Sequence, residues 1–174
     1  MNDVFIERMV KKRTDGKDIA ILILILLGIF VLGFICLIYM PSILFFVIVG
    51  GSYGGYKLIS LRNLEFEYSL TNGYLAVDKI MNRASRKRLT AFECKDIEDM
   101  GEYEKNKARL ENRQVQTKLF VSEYSDGRGA WYVIVNTKKT GKTLLVFNPD
   151  EDLLEAIKKF MPTHLRFELF GRGR

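Results

Sequence analysis

Two hydrophobic patterns divide this chain. From Ile19 to Tyr56 no Asp, Glu, Lys, Arg or His interrupts the run IAILILILLGIFVLGFICLIYMPSILFFVIVGGSYGGY. As one helix, at about 1.5 Å per residue, it would be nearly twice the roughly 30 Å of a bilayer core. Division at Pro41 gives two spans, Ile19–Tyr39 and Ile43–Leu61, so the pattern predicts a membrane hairpin occupying residues 19–61. A hairpin that only dips into the bilayer and returns fits equally well. The apolar run exceeds a signal peptide's 7–15 residues and no small-x-small site follows, so no cleavable leader is predicted.

The period changes at Leu64. Leu64, Phe66, Tyr68 and Leu70 alternate with Glu65, Glu67 and Ser69, the signature of a half-buried strand. Asn72-Gly73 then predicts a tight hairpin turn into a strand over Tyr74–Met81. Further strands are expected at Arg86–Phe92, Glu93–Tyr103, Gln116–Glu123, Ala130–Asn136 and Lys142–Phe147, with Glu104–Gln114 a long charged mobile loop, with or without a helical turn. Trp131 is expected in the core. Over Glu151–Met161 the period becomes helical, with Leu153, Leu154, Ile157, Phe160 and Met161 on one face. Asp150 or Asn148 is the expected cap and Pro162 the stop. Residues 163–174 form a basic tail, read as an extra strand or a surface-adhering segment. Residues 1–18 read as an amphipathic helix lying on the membrane, with Val4, Phe5, Ile6, Met9 and Val10 on its apolar side.

Charge sets the expected orientation. Arg8, Lys11, Lys12, Arg13 and Lys17 precede the first span and Lys57 and Arg62 follow near the end of the second, while Tyr39–Ser42 between them is uncharged. Basic flanks stay inside, so both termini are expected in the cytoplasm of a multi-pass cell-membrane protein. The net charge of +6 is modest, and from Arg62 onward 21 Lys+Arg stand against 17 Asp+Glu. That balance suits an anionic membrane surface and argues against a nucleic-acid partner. Cys36 in the span and Cys94 beyond it cannot form a disulfide framework, in keeping with a reducing compartment.

An N-terminal two-helix hairpin, then seven short strands and one amphipathic helix, is a specific order. With the stretch Tyr68-Ser69-Leu70-Thr71-Asn72-Gly73-Tyr74-Leu75-Ala76-Val77, it resembles bacterial membrane-anchored proteins with a pleckstrin-homology-like (PH-like) domain. The resemblance implies an α+β membrane protein: a transmembrane hairpin, then a partly open seven-stranded barrel over residues 62–162, capped by its C-terminal helix. It implies a noncatalytic binding or scaffolding module, and by itself no reaction. Residues 62–174 are expected to fold without the hairpin.

Candidate sites are few. Lys79, Arg83, Arg86, Lys87 and Arg88 cluster around one strand turn and are the candidate lipid-surface contact; a solvated hairpin tip is the other reading. Eukaryotic PH domains that bind phosphoinositides place basic residues around the first strand-to-strand loop, which here is the tight Thr71-Asn72-Gly73. Gly50, Gly51, Gly54 and Gly55 make two overlapping G-x-x-x-G pairs. They are expected to pack against the first span, around Gly28 and Gly33. The other readings are self-association and docking onto a protein partner as a subunit of a larger membrane complex. Thr140-Gly141-Lys142-Thr143 ends like a phosphate-binding loop, but Asn136 replaces the first glycine and a strand follows, so a hairpin turn is expected. Lys138, Lys139 and Lys142 around it read as solubilising. No catalytic, cofactor-binding or metal-ligating set is found: His164 is the only histidine, and no acidic run has the spacing of a metal loop. An enzyme with an unrecognised active site is the rival reading.

Overall fold

The computed structural model describes residues 3–137 and 140–171. It divides into a helical unit, Thr14–Leu64, and a second unit built from the N-terminal residues up to Arg13 together with Glu65 onward.

The helical unit holds α1 (Gly16–Tyr39), a single 3-10 turn (Pro41–Ile43) and α2 (Leu44–Ser60). Pro41 sits in the first turn of that 3-10 segment, where no N–H partner is needed. The Gly16–Tyr39 and Pro41–Ser60 segments, 24 and 20 residues, are long and apolar enough to cross a membrane. Two ties close the hairpin. Arg62, just beyond α2, forms an ion pair with Asp18 in the first turn of α1. Gly51 and Gly55 lie against α1, where an added Cβ would stand 3.3 Å from Ile29 Cγ1 and 2.9 Å from Ile25 Cγ2 respectively. Gly51 and Gly55 therefore pack on Ile25 and Ile29; of the two expected α1 glycines, Gly33 approaches α2, where an added Cβ would stand 4.0 Å from Leu44 Cδ1, and Gly28 has nothing within 4 Å. Gly50 and Gly54 face open space. The overlapping glycine pairs thus split between two faces, one used within the hairpin.

Among its described residues the second unit contains eight strands in two four-stranded sheets, one more strand than the sequence pattern predicts. The extra one is β1 (Phe5–Lys11), where an amphipathic helix is expected. It pairs antiparallel with β2 (Leu64–Thr71), from Phe5↔Thr71 to Lys11↔Glu65. A segment this short makes a marginal helix, because nucleation costs more than a few turns return. The open edge of β2 offers it backbone partners instead. Its period is two: Val4, Ile6 and Val10 pack on the core while Phe5, Met9 and Lys11 face out.

The first sheet continues through β3 (Tyr74–Met81) and β4 (Ser85–Glu93) in the order β1-β2-β3-β4. Asn72 and Gly73 join β2 to β3 with φ of 50° and 86°, the left-handed pair a two-residue hairpin requires. Gly73 is doubly fixed, since an added Cβ would stand 2.8 Å from Cδ1 of Phe160. A single 3-10 turn, Cys94–Asp96, leads to β5 (Ile97–Glu102) in the second sheet, ordered β5-β7-β8-β6. Here β7 (Trp131–Thr137) and β8 (Gly141–Phe147) are central and antiparallel, while β6 (Thr117–Phe120) runs parallel to β8 at the edge.

The core lies between the sheets and includes Tyr68, Leu70, Leu75, Val77, Val133, Leu145 and Phe147. Helix α4 (Glu151–Phe160) adds Leu153, Ala156 and Ile157, and Asp150 caps it by accepting from Leu153 N–H at 3.0 Å. Two further helices replace expected loop and strand. In α3 (Tyr103–Glu111), Tyr103 and Leu110 cover the other face of the second sheet, against Tyr132, Ile134, Leu144 and Val146. In α5 (Thr163–Phe170), Leu165 is buried and Phe170 stacks on the half-buried Trp131, ring centroids 6.0 Å apart. In α3 the polar, exposed residues hide its two buried anchors from a period count, and in α5 Leu165 is the one buried residue.

Candidate functional site

The basic cluster surrounds the β3–β4 turn, and the strand order fixes where that turn lies. β2 runs from Glu65 toward the Asn72-Gly73 turn, and β3 runs back from it. Met81–Ser85 therefore closes the same end of the sheet as the Lys11↔Glu65 pair. This is the end where the chain leaves for α1 and returns from α2. Arg83 confirms the proximity with a 3.3 Å contact to Glu65.

The turn itself is strained. Asn82 and Arg83 both have positive φ, 50° and 55°. Asn tolerates this region, whereas Arg there costs about 1 kcal/mol.

The five cations divide into two kinds. Arg83, Arg86 and Arg88 pair with Glu65, Glu67 and Asp78, whose relative exposures are only 7%, 4% and 3%. Arg88 grips Asp78 through two bonds, Nε to Oδ1 at 2.6 Å and Nη2 to Oδ2 at 2.9 Å. These arginines neutralise a stripe of carboxylates on the outer face of the sheet, so their charge is largely committed. Lys79 and Lys87 are different. They are direct cross-strand partners, on β3 and β4, and neither forms an ion pair among the described residues. Proximity along the chain groups all five and does not reveal the carboxylates that three of them pair with. The alternation of Glu65 and Glu67 with apolar residues in β2 was the available signal.

The carboxylates titrate in opposite directions. The Arg88 hydrogen bonds hold Asp78 below the usual carboxylate range, against the opposing pull of burial. Burial is the largest influence on Glu67 and raises it, with the nearby Glu7 adding to the rise and Arg86 opposing it. Asp78 therefore stabilises the fold above its unfolded pKa, and that stabilisation is lost as pH falls through the folded value. Glu67 behaves oppositely, losing its contribution as pH rises. Arg88→Gln isolates the first effect. It should cost about 2 kcal/mol at neutral pH, scaled down from a fully buried pair because the Arg88 side chain is half exposed. The deficit should shrink as pH drops below about 4. Urea unfolding of wild type and variant across acidic pH measures it; a deficit independent of pH would contradict the assignment.

Elsewhere the polar groups serve structure. Arg109 and Arg113 of the charged segment converge on Asp99, which also accepts from the Tyr132 hydroxyl at 2.9 Å. The thiol of Cys94 is wholly buried and pushed up to about 12 by that burial, so it stays protonated. His164 is exposed at the start of α5. Among the described residues no three His, Cys, Asp or Glu side chains are placed to hold a metal ion. Gly141, Lys142 and Thr143 open β8, paired with Thr137, Asn136 and Val135 of β7, with Gly141 at φ 64°. Lys142 pairs with Glu98 at 2.8 Å, while Lys138 and Lys139 lie outside the described residues. A groove of about 450 Å³ follows the β4 edge, lined by Leu89, Ala91 and Phe92 and by Asn136 and Thr137 at the end of β7.

No curated protein and no solved structure matches the chain. A family model does, over residues 2–167, and its reach is informative because it takes in β1, both apolar helices and every later element through most of α5. The chain belongs to this family, the bacterial PH-like domain family DUF6106.

Proposed function

We propose that this protein is a noncatalytic, membrane-anchored module in which α1 and α2 span the cell membrane and the PH-like unit, a partly open barrel, is presented to the cytoplasm for binding or scaffolding. The two helices long and apolar enough to cross a membrane support the anchoring, and one further observation supports its sidedness. The strands that flank the helices, β1 and β2, are zipped together up to Lys11↔Glu65. The chain therefore leaves the sheet and re-enters it at one place, and a pair of spans inserted between such partners must begin and end on the same membrane side. The basic flanks favour the cytoplasm for that side. PH-like membership supports the binding role.

The open pair Gly50 and Gly54 favours a second reading, a subunit that packs against another membrane helix through that face. Alkaline washing of membranes tests the anchoring in either case. The full chain should stay with the membrane pellet, and recovery in the supernatant would contradict the proposal.

A further inference from the structure

We propose that the β3–β4 turn rests on the anionic phospholipid surface from which the spans emerge, through Lys79 and Lys87, and that this contact sets which way the domain faces. The inference rests on the spanning reading above and names the partner of the basic turn.

Connectivity puts the right end of the sheet at the bilayer. Only residues 12–15 separate β1 from α1, and only residues 61–63 separate α2 from β2. At no more than about 3.6 Å per residue, neither connection can carry that sheet end far from the surface. Both tethers and the β3–β4 turn share that end. The Asn72-Gly73 turn, at the position of the loop that carries basic residues in eukaryotic phosphoinositide-binding PH domains, closes the opposite end.

Charge then selects the contact. Lysines facing each other directly across an antiparallel pair repel. The neighbouring pair, Asp78↔Arg88, is neutral by comparison, and Arg86 and Arg83 are held by Glu67 and Glu65. Lys79 and Lys87 have no such compensation among the described residues. A phosphate bridging two ammonium groups relieves the repulsion, and a leaflet rich in anionic lipid supplies phosphates at that height. The arginines contribute a rigid mount: paired to buried carboxylates, they hold the turn in a backbone conformation that Arg83 would not choose alone. Lys11 shares this end and adds to the field.

The test uses the full chain in lipid nanodiscs, with an environment-sensitive fluorophore on a cysteine at Ser85 and a headgroup-attached quencher in the bilayer. Quenching should be strong in discs containing phosphatidylglycerol, weak in purely zwitterionic discs, and reduced by added salt, since the screening length is about 8 Å at physiological strength. Lys79→Gln with Lys87→Gln should lower the ratio of docked to undocked domain about 30-fold, at about 1 kcal/mol per lysine. Both variants leave the arginine–carboxylate pairs intact, and Lys79→Arg with Lys87→Arg should retain docking. Inorganic phosphate at matched ionic strength should displace nothing. Equal quenching in the two lipids, no response to the Gln variants, or selective displacement by phosphate would each overturn the proposal. Failure of the chain to enter nanodiscs at all would instead overturn the spanning reading.

Discussion

A fragment starting at Arg62 is expected to be unfolded or aggregated, because it lacks the first strand of its own sheet. β1 supplies Val4, Ile6 and Val10 to the core and the ladder that closes the edge of β2. Three half-buried side chains contribute about 1 kcal/mol each, and the strand's hydrogen bonds raise the loss to roughly 3–5 kcal/mol. That is a large share of the about 5–15 kcal/mol that holds a domain. The exposed edge left behind would also template aggregation. Joining residues 3–13 to residues 64–171 through a short flexible linker should restore a cooperative fold, since Lys11 and Glu65 are ladder partners. Circular dichroism and thermal unfolding compare the two. Equal melting of the Arg62 fragment and the linked version would show β1 to be dispensable, as the sequence alone suggests.

Asn72→Pro should be nearly as damaging, and for the same strand. Asn72 holds a φ of 50° that proline cannot adopt. Its N–H donates to Val4 O at 2.9 Å, and its Oδ1 accepts from Val4 N–H at 2.9 Å. Proline removes the turn geometry and both links to β1 together, for an expected loss of about 3 kcal/mol or more. Asn72→Asp keeps the φ preference and the side-chain acceptor, so it should cost much less. Denaturation midpoints of the two variants separate the outcomes; similar midpoints would mean the turn does not anchor β1.

The sequence was most legible where one period ran unopposed. The β2–β3 hairpin with its Asn-Gly turn and helix α4 appear within a residue or two of their expected places, and the first apolar helix starts three residues before the expected Ile19. It was least legible where an element is decided by a distant partner. β1 carries a helical stripe and a strand alternation at once, and the vacant edge of β2, more than fifty residues away, chooses between them. Helix α3 shows only Tyr103 and Leu110 as anchors, seven residues apart. The clue to it lay elsewhere, in the unbroken apolar run of Tyr132–Val135, which implied that the second sheet is covered on both faces. The candidate site was half legible. The basic residues were visible as a cluster, but charge counting cannot tell an arginine committed to a buried carboxylate from a lysine without one.

The most direct test of a module anchored by two spans with its domain inside is thiol labelling in intact cells. Single cysteines are placed at Asp3, Ser42 and Ser125, with Cys36 and Cys94 replaced, and exposed to a membrane-impermeant reagent. Ser42, two residues into the 3-10 turn between the helices, should label. Asp3 and Ser125, both in the PH-like unit, should label only after the cells are opened. Labelling of Asp3 or Ser125 in intact cells, with Ser42 protected, would contradict the account.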